Sequence, residues 1–131
     1  MSTTRSTRAV VAPASLRAPA LDAERLDCYR VALEFHVIAT AMAPRCDSVL
    51  RDQLRRASLS IILNTAEGAG QRSRLQKRHL YSIARGSAME CAAIVDVVRL
   101  RGAAAVTDCA SARTLLIRIV QMLTKLDRSL S

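Results

Sequence analysis

Residues 50–73 read LRDQLRRASLSIILNTAEGAGQRS, an apolar helical pattern that runs into two glycines and then into arginine. The apolar positions recur three or four residues apart, which is the spacing of one face of a helix. They are Leu50, Leu54, Ala57 and Ile61. Asn64 comes next on the same stripe. The pattern predicts a helix that begins at Asp47 or Ser48 and ends near the glycines.

The end of this stretch is predicted to be a corner between two helices. Gly68 or Gly70 can adopt the left-handed conformation that ends a helix. Ser73 followed by Gln76 has the spacing of a capping box that begins the next helix. The corner lacks the Gly-Lys-Ser/Thr ending of a phosphate-binding loop and joins helix to helix, so we do not expect a nucleotide site here.

Two polar residues at the corner need an explanation. Asn64 lies on the core stripe, where an amide without partners costs about 1–3 kcal/mol. Glu67 lies near a helix C-terminus, where the helix dipole disfavours an anion, so basic neighbours should offset its charge. The candidates are Arg72, Arg74 and Lys77. We interpret Asn64 and Glu67 as structural residues that fix the corner, rather than as catalytic groups.

The same periodicity predicts three more helices, over residues 22–44, over residues 73–101, and from an N-cap at Thr107 or Asp108 onward. Their apolar stripes are Leu26, Tyr29, Leu33, Val37 and Ala41; Leu80, Ala84, Ala88, Cys91, Val95 and Val98; and Ala112, Leu115, Ile119, Met122, Leu126 and Leu130. Four helices with short connections predict an all-α domain over residues 21–131, an antiparallel up-down-up-down four-helix bundle.

Composition supports this architecture. The chain has 131 residues, one domain in length, and aromatic residues are scarce, so aliphatic side chains form the core. No apolar run approaches the ~18 residues of a membrane span. The cysteines lack metal-ligand or redox spacing, so we expect buried thiols in a reducing cytoplasm and neither metal nor cofactor. They are Cys28, Cys46, Cys91 and Cys109.

Residues 1–20 contain Arg5, Arg8 and Arg17, no acidic residue, and many Ser, Thr, Ala and Pro. Such a segment cannot bury enough apolar surface to order itself, so we expect a flexible basic tail.

The apolar residues cover a wider arc than the ~100° stripe that a monomeric bundle buries. Those outside the main stripes are Leu59, Ile62, Leu63, Ile83, Ile94, Val97, Ile117 and Val120. We therefore expect self-association, with ordinary scattered surface hydrophobics as the alternative.

The chain is strongly basic, with 20 Lys and Arg against 11 Asp and Glu and a net charge of +9. This excess favours a polyanionic partner, and a basic surface without such a partner is the alternative. If α-helical positions pair across the corner, Glu90 is level with Arg51. That leaves a mid-bundle basic group of Arg55, Arg56 and Arg85, and a corner group of Arg72, Arg74, Lys77 and Arg78.

Three segments together resemble a known family. They are Gln53-Leu54-x-Arg56-Ala57-Ser58-x-Ser60-Ile61, Asn64-x-Ala66-Glu67-Gly68, and Ala84-x-Gly86-Ser87-Ala88-x-Glu90. They are similar to the four-helix bundle proteins first noted as products of 23S rRNA intervening sequences, and to the accessory proteins of diversity-generating retroelements. The likeness extends from about Tyr29 to residue 125. Two positions depart from the family pattern: Thr65, where Ile is commoner, and Gln71, where Arg is typical.

The resemblance implies a homopentameric ring with a positive surface and no established catalytic activity. It also implies RNA or DNA bound through phosphate contacts, with a retroelement reverse transcriptase as a further candidate partner. The residues expected to make these contacts are Arg55, Arg56, Arg72, Arg74, Lys77, Arg78 and Arg85.

Two other functions stay open at this point. Arg74 and His79, or Arg72 and His79, match the loose Arg-x(4–6)-His pattern of the helical HEPN ribonucleases, in which a histidine can serve as acid or base. Alternatively, the protein is a pure assembly module whose charge provides solubility. We expect no enzyme activity, because the Arg-His match is easily met in a chain this rich in arginine.

Overall fold

The computed structural model describes residues 20–131, so the predicted basic tail lies outside the described residues except for Ala20. Within that part the chain forms four α-helices and no strand. They are α1 (Asp27–Met42), α2 (Ser48–Gly70), α3 (Arg74–Leu100) and α4 (Val106–Leu130), with short 3-10 turns at Asp22–Arg25 and Ala43–Arg45. The protein is a four-helix bundle, as the apolar periodicity predicts.

The predicted helix starts are confirmed for α2 and α3. The Asp47 side chain accepts a hydrogen bond from the Leu50 amide, and the Ser73 side chain accepts one from the Gln76 amide. These contacts satisfy backbone donors that have no partner inside the helix. The predicted start of α4 is wrong, because Ala105 is the N-cap and has no capping side chain.

Each helix packs against two others: α2 lies between α1 and α3, and α4 lies between α3 and α1. Along α2 and α3, partner numbers fall on one helix as they rise on the other. Arg56 contacts Glu90, Ser60 contacts Ser87, and the backbone at Gly68 contacts Lys77.

The core follows the predicted stripe closely in α3 and poorly in α1. All six predicted α3 positions are buried. In α1 the predicted stripe is on the wrong face, since Val37 is 70% exposed and Leu33 is also exposed. The buried residues of α1 are instead Cys28, Val31, Ala32, Phe35, Ala39 and Met42. This helix carries two apolar faces, and periodicity alone does not say which of them meets the bundle.

The glycines at the corner do not end α2 through a left-handed turn. Gly68 and Gly70 are both helical, and within residues 20–131 only Gly102 has a positive φ, 66°. Gly68 instead allows α3 to approach closely. A Cβ added there would lie 2.8 Å from Cε1 of the buried Tyr81 ring and 3.3 Å from Cβ of Leu80. The left-handed prediction for Gly68 and Gly70 is therefore wrong.

The four cysteines are free and buried, as predicted. None of the described helices combines the length and hydrophobicity that a bilayer crossing requires.

Candidate nucleic-acid interface

The corner between α2 and α3 is fixed by Lys77. Its Nζ donates to the Gly68 carbonyl at 3.1 Å and to the Ala69 carbonyl at 2.8 Å. These carbonyls belong to the last turn of α2, where a cation also interacts favourably with the helix dipole. Lys77, predicted as a nucleic-acid contact, is therefore engaged in holding the corner.

Asn64 and Glu67 do not act at the corner as expected. Asn64 is half-buried rather than in the core, and its Nδ2 donates to the carbonyl and hydroxyl oxygens of Ser60, at 2.9 and 3.1 Å. Ser60 in turn contacts the Ser87 hydroxyl at 2.8 Å, so Asn64 belongs to the packing of α2 on α3. Glu67 is exposed and makes no ion pair with another described residue.

Thr65, not Asn64, is the buried polar residue of this segment. Its side chain is fully buried, and its hydroxyl has no hydrogen-bond partner within the described structure. The sequence resemblance implies that Ile is commoner at this position. Full burial of a hydroxyl without a partner explains why an aliphatic side chain would suit the site.

Arg72 and Arg74 are the exposed cations of the corner. Both flank the N-terminus of α3, whose first turn has no acidic residue. The described ion pairs include neither side chain. A helix N-terminus and two uncompensated guanidinium groups both favour an anion at the same place.

The predicted mid-bundle group does not form. Arg56 donates to Glu90 at 2.6 Å and to Gln53 at 2.5 Å. Arg56 therefore has an acidic partner, and it takes the place beside Glu90 that was predicted for Arg51. Arg51 lies 3.6 Å from Asp52 instead. The helix α2 continues through Gly70, so the turn between α2 and α3 is short. The residue of α2 that faces Glu90 is therefore Arg56, five positions after the expected Arg51.

Arg55 and Arg85 lie apart from Arg56. Side chains of consecutive helical residues point about 100° apart, so Arg55 projects from another part of α2 than Arg56. Arg55 is exposed. On α3, Arg85 donates to the Thr124 hydroxyl of α4 at 2.8 Å, and Arg78 donates to Asp127 of α4 at 2.9 Å. That hydrogen bond from Arg78 holds the pKa of Asp127 below its usual value.

Arg78 and Arg85 line an opening between α3 and α4 with a volume of about 490 Å³. His79 lines the same opening, whereas the arginines of the predicted Arg-His motif, Arg72 and Arg74, do not. Ser82 and Thr124 also face it. These two hydroxyls could not be identified from the sequence, because the register of α4 against α3 decides which side chains meet.

The family comparison agrees with this architecture. The family model of the 23S rRNA-intervening sequence proteins matches residues 24–125, which include α1, α2, α3 and most of α4. The chain belongs to this family. A search of curated proteins gives no match. In this member of the 23S rRNA-intervening sequence protein family, the exposed cations at the corner and in the α3–α4 opening are the candidate contacts to nucleic acid.

Proposed function

We propose that this protein is a non-enzymatic, basic, oligomeric scaffold that binds RNA or DNA through its phosphates. The observation that supports it most directly is the pair Arg72 and Arg74 beside the N-terminus of α3, without a carboxylate partner among the described residues. The net charge of +9 adds a long-range attraction for polyanions. The family name points in the same direction, since it refers to an rRNA gene.

The seven predicted contacts fall into two classes. Arg55, Arg72 and Arg74 are exposed cations outside the described ion pairs, and Arg85 contacts only a neutral hydroxyl. These four can reach a phosphate without losing an ionic partner. Arg56, Lys77 and Arg78 are engaged by Glu90, by backbone carbonyls and by Asp127. We therefore assign phosphate binding first to Arg72 and Arg74.

The scaffold is proposed to be an up-down-up-down bundle that assembles into a homopentameric ring. Exposed apolar side chains on α1 and α2 support self-association, namely Leu33, Val37, Leu59 and Leu63. Covering such side chains with another subunit removes apolar surface from water. The number five rests on the family resemblance. A retroelement reverse transcriptase remains a proposed partner on the same ground.

Phosphate binding is tested by the salt dependence of RNA affinity. Each phosphate contact contributes about 0.7–0.9 to the slope of log K against log salt. The double variant Arg72→Ala/Arg74→Ala should therefore bind a short structured RNA more weakly and lower that slope by up to about 1.8. The matched control is Arg45→Ala/Arg118→Ala, which removes the same charge elsewhere. Equal losses in both double variants would show that the corner is not the binding site.

Assembly and catalysis have separate tests. Light scattering of the full chain should give a mass near five chains, and Leu33→Asp/Leu63→Asp should lower that mass. A monomeric wild-type protein would exclude the ring. Labelled RNA should remain intact with the wild-type protein and with His79→Ala alike. Cleavage by the wild type that His79→Ala abolishes would establish the ribonuclease alternative instead.

A further inference from the structure

A groove runs along the outside of the bundle between α3 and α4. Three openings follow one another in it, with volumes of about 490, 170 and 580 Å³. The first is beside Arg78 and Asp127, the second beside Met89 and Ile117, and the third beside Leu100 and Val106. The second and third share Arg113. We call these three openings together the α3–α4 groove.

Large apolar side chains are exposed along the whole groove. Leu100 is 87% exposed, Met89 52% and Ile117 47%, and each lines one of the openings. Leu75 and Val106 add exposed apolar surface at the two ends. A run of solvated aliphatic groups in a concave surface is typical of a site that binds another protein segment.

The rim of the groove is positively charged. Four arginines line it, against two aspartates. The arginines are Arg78, Arg85, Arg99 and Arg113, and the aspartates are Asp96 and Asp127. Each aspartate pairs with one arginine: Asp127 with Arg78, and Asp96 with Arg113 at 3.1 Å. Arg85 and Arg99 are left outside the described ion pairs, so the rim has two cations to offer a partner.

We propose that the α3–α4 groove binds an acidic amphipathic helix of a partner protein. A helix in such a groove places apolar side chains three or four residues apart into successive openings. The 27 residues of α3 span about 40 Å at 1.5 Å per residue, which is long enough for several turns of a docked helix. Acidic residues beside the apolar stripe would meet Arg85 and Arg99.

Local charge argues against the same groove of a second copy as the occupant, because two such rims placed face to face would bring Arg85 and Arg99 of both copies together without carboxylate partners. RNA is also a poor occupant of the groove. The centre of the groove offers aliphatic side chains, whereas the corner offers arginines that can donate hydrogen bonds to phosphate. The proposal does not depend on nucleic-acid binding at Arg72 and Arg74.

A designed peptide tests the proposal directly. The probe is a fluorescein-labelled 21-residue helical peptide with Leu at positions i, i+3, i+4 and i+7 and Glu beside them, titrated with the full chain and followed by anisotropy. Its control has Lys in place of every Glu. We expect the Glu peptide to bind at least about tenfold more tightly than the Lys peptide, a difference of about 1.4 kcal/mol.

Two matched isoleucines locate the site. Ile117→Asp places a charge in the central opening and should weaken binding of the Glu peptide at least about tenfold. Ile83→Asp is the control, because Ile83 is similarly exposed, 40% against 47%, but lines none of the three openings. It should bind like the wild type. Circular dichroism verifies that both variants fold, and Ile117→Ala replaces Ile117→Asp if the latter does not.

Several results would overturn the proposal. They are no binding of the Glu peptide by the wild type, equal binding of the Lys peptide, and equal losses in the Ile117 and Ile83 variants. A lower mass of Ile117→Asp in light scattering would assign the groove to contacts between copies, and weaker RNA binding by that variant would assign it to RNA. Arg72→Ala/Arg74→Ala should leave peptide affinity unchanged, so failure of RNA binding and failure of this proposal are distinguishable.

Discussion

The contact between α2 and α3 and the groove between α3 and α4 use the same helix in opposite ways. On the α2 side, Gly68 leaves no room for a Cβ beside Tyr81, and short hydroxyls meet at Ser60 and Ser87. On the α4 side, long arginine side chains bridge to Asp127 and Thr124 and leave openings between the helices. Small residues therefore close one contact, while long ones leave openings in the other, where we propose that a partner binds.

The largest expected effect lies in the closed contact. Gly68→Ala should lower the free energy of unfolding by about 1–3 kcal/mol, because a Cβ would overlap the buried Tyr81 ring. Gly86→Ala on α3 is the matched control. A Cβ at Gly86 meets nothing within 4 Å, so the better helix propensity of Ala should raise stability by up to about 1 kcal/mol. Urea unfolding measures both, and equal effects would show that close approach at Gly68 is unimportant.

The corner provides the next effect. Lys77→Met keeps much of the aliphatic side chain but removes two hydrogen bonds to carbonyls of α2. We expect a loss of about 1.5 kcal/mol in the free energy of unfolding, since hydrogen bonds from a charged donor are stronger than neutral ones. Lys125→Met, at the other lysine of the chain, is the control and should have little effect. A Lys77→Met variant as stable as the wild type would show that these two hydrogen bonds do not stabilise the corner.

Thr65 offers a gain instead of a loss. Thr65→Val removes a buried hydroxyl without a partner and keeps the branched shape of the side chain. The free energy of unfolding should rise by about 1 kcal/mol, because the hydroxyl no longer has to be desolvated. Thermal unfolding of the two proteins measures the change. A destabilised variant would mean that the hydroxyl is satisfied in solution.

The bridged contact should have the smallest effect, visible only in acid. The hydrogen bond from Arg78 lowers the pKa of Asp127 in the folded protein, so the unfolded chain binds the proton more readily. The hydrogen bond between Arg78 and Asp127 therefore stabilises the fold above pH ~4. This stabilisation is lost as the pH falls through the lowered pKa of Asp127. Asp127→Asn should flatten this part of the stability curve measured from pH 6 to 2. Arg78→Gln should remove the same dependence, and the two changes together should add nothing further.

Sequence periodicity predicts the parts of the fold that a single helix determines by itself. The caps at Asp47 and Ser73 depend on residues within one turn, and all six residues of the predicted α3 stripe are buried. It fails for α1, where two faces are apolar and only the neighbouring helices select the buried one. The prediction that Glu90 pairs with Arg51 also fails, because a small change in where α2 ends changes which residues of α2 and α3 face each other.

The candidate site is predictable to a similar degree. Arg72 and Arg74 are exposed at the corner as their position in the sequence suggests. Lys77 could not be separated from them, since its partners are backbone carbonyls whose direction follows from the helical geometry of Gly68 and Ala69. The α3–α4 groove needs the register of two helices, which composition and spacing within each helix do not contain.

The four buried thiols can serve as probes of local opening of the bundle. Burial raises the pKa of Cys28 to about 11 and that of Cys91 to about 12, and it also raises the pKa values of Cys46 and Cys109. Alkylating reagents attack the thiolate, so at neutral pH the closed protein should react slowly at all four positions. These sulfurs are distributed over α1, the α1–α2 connection, α3 and α4. The order in which they become labelled would therefore report which helix detaches first from its neighbours.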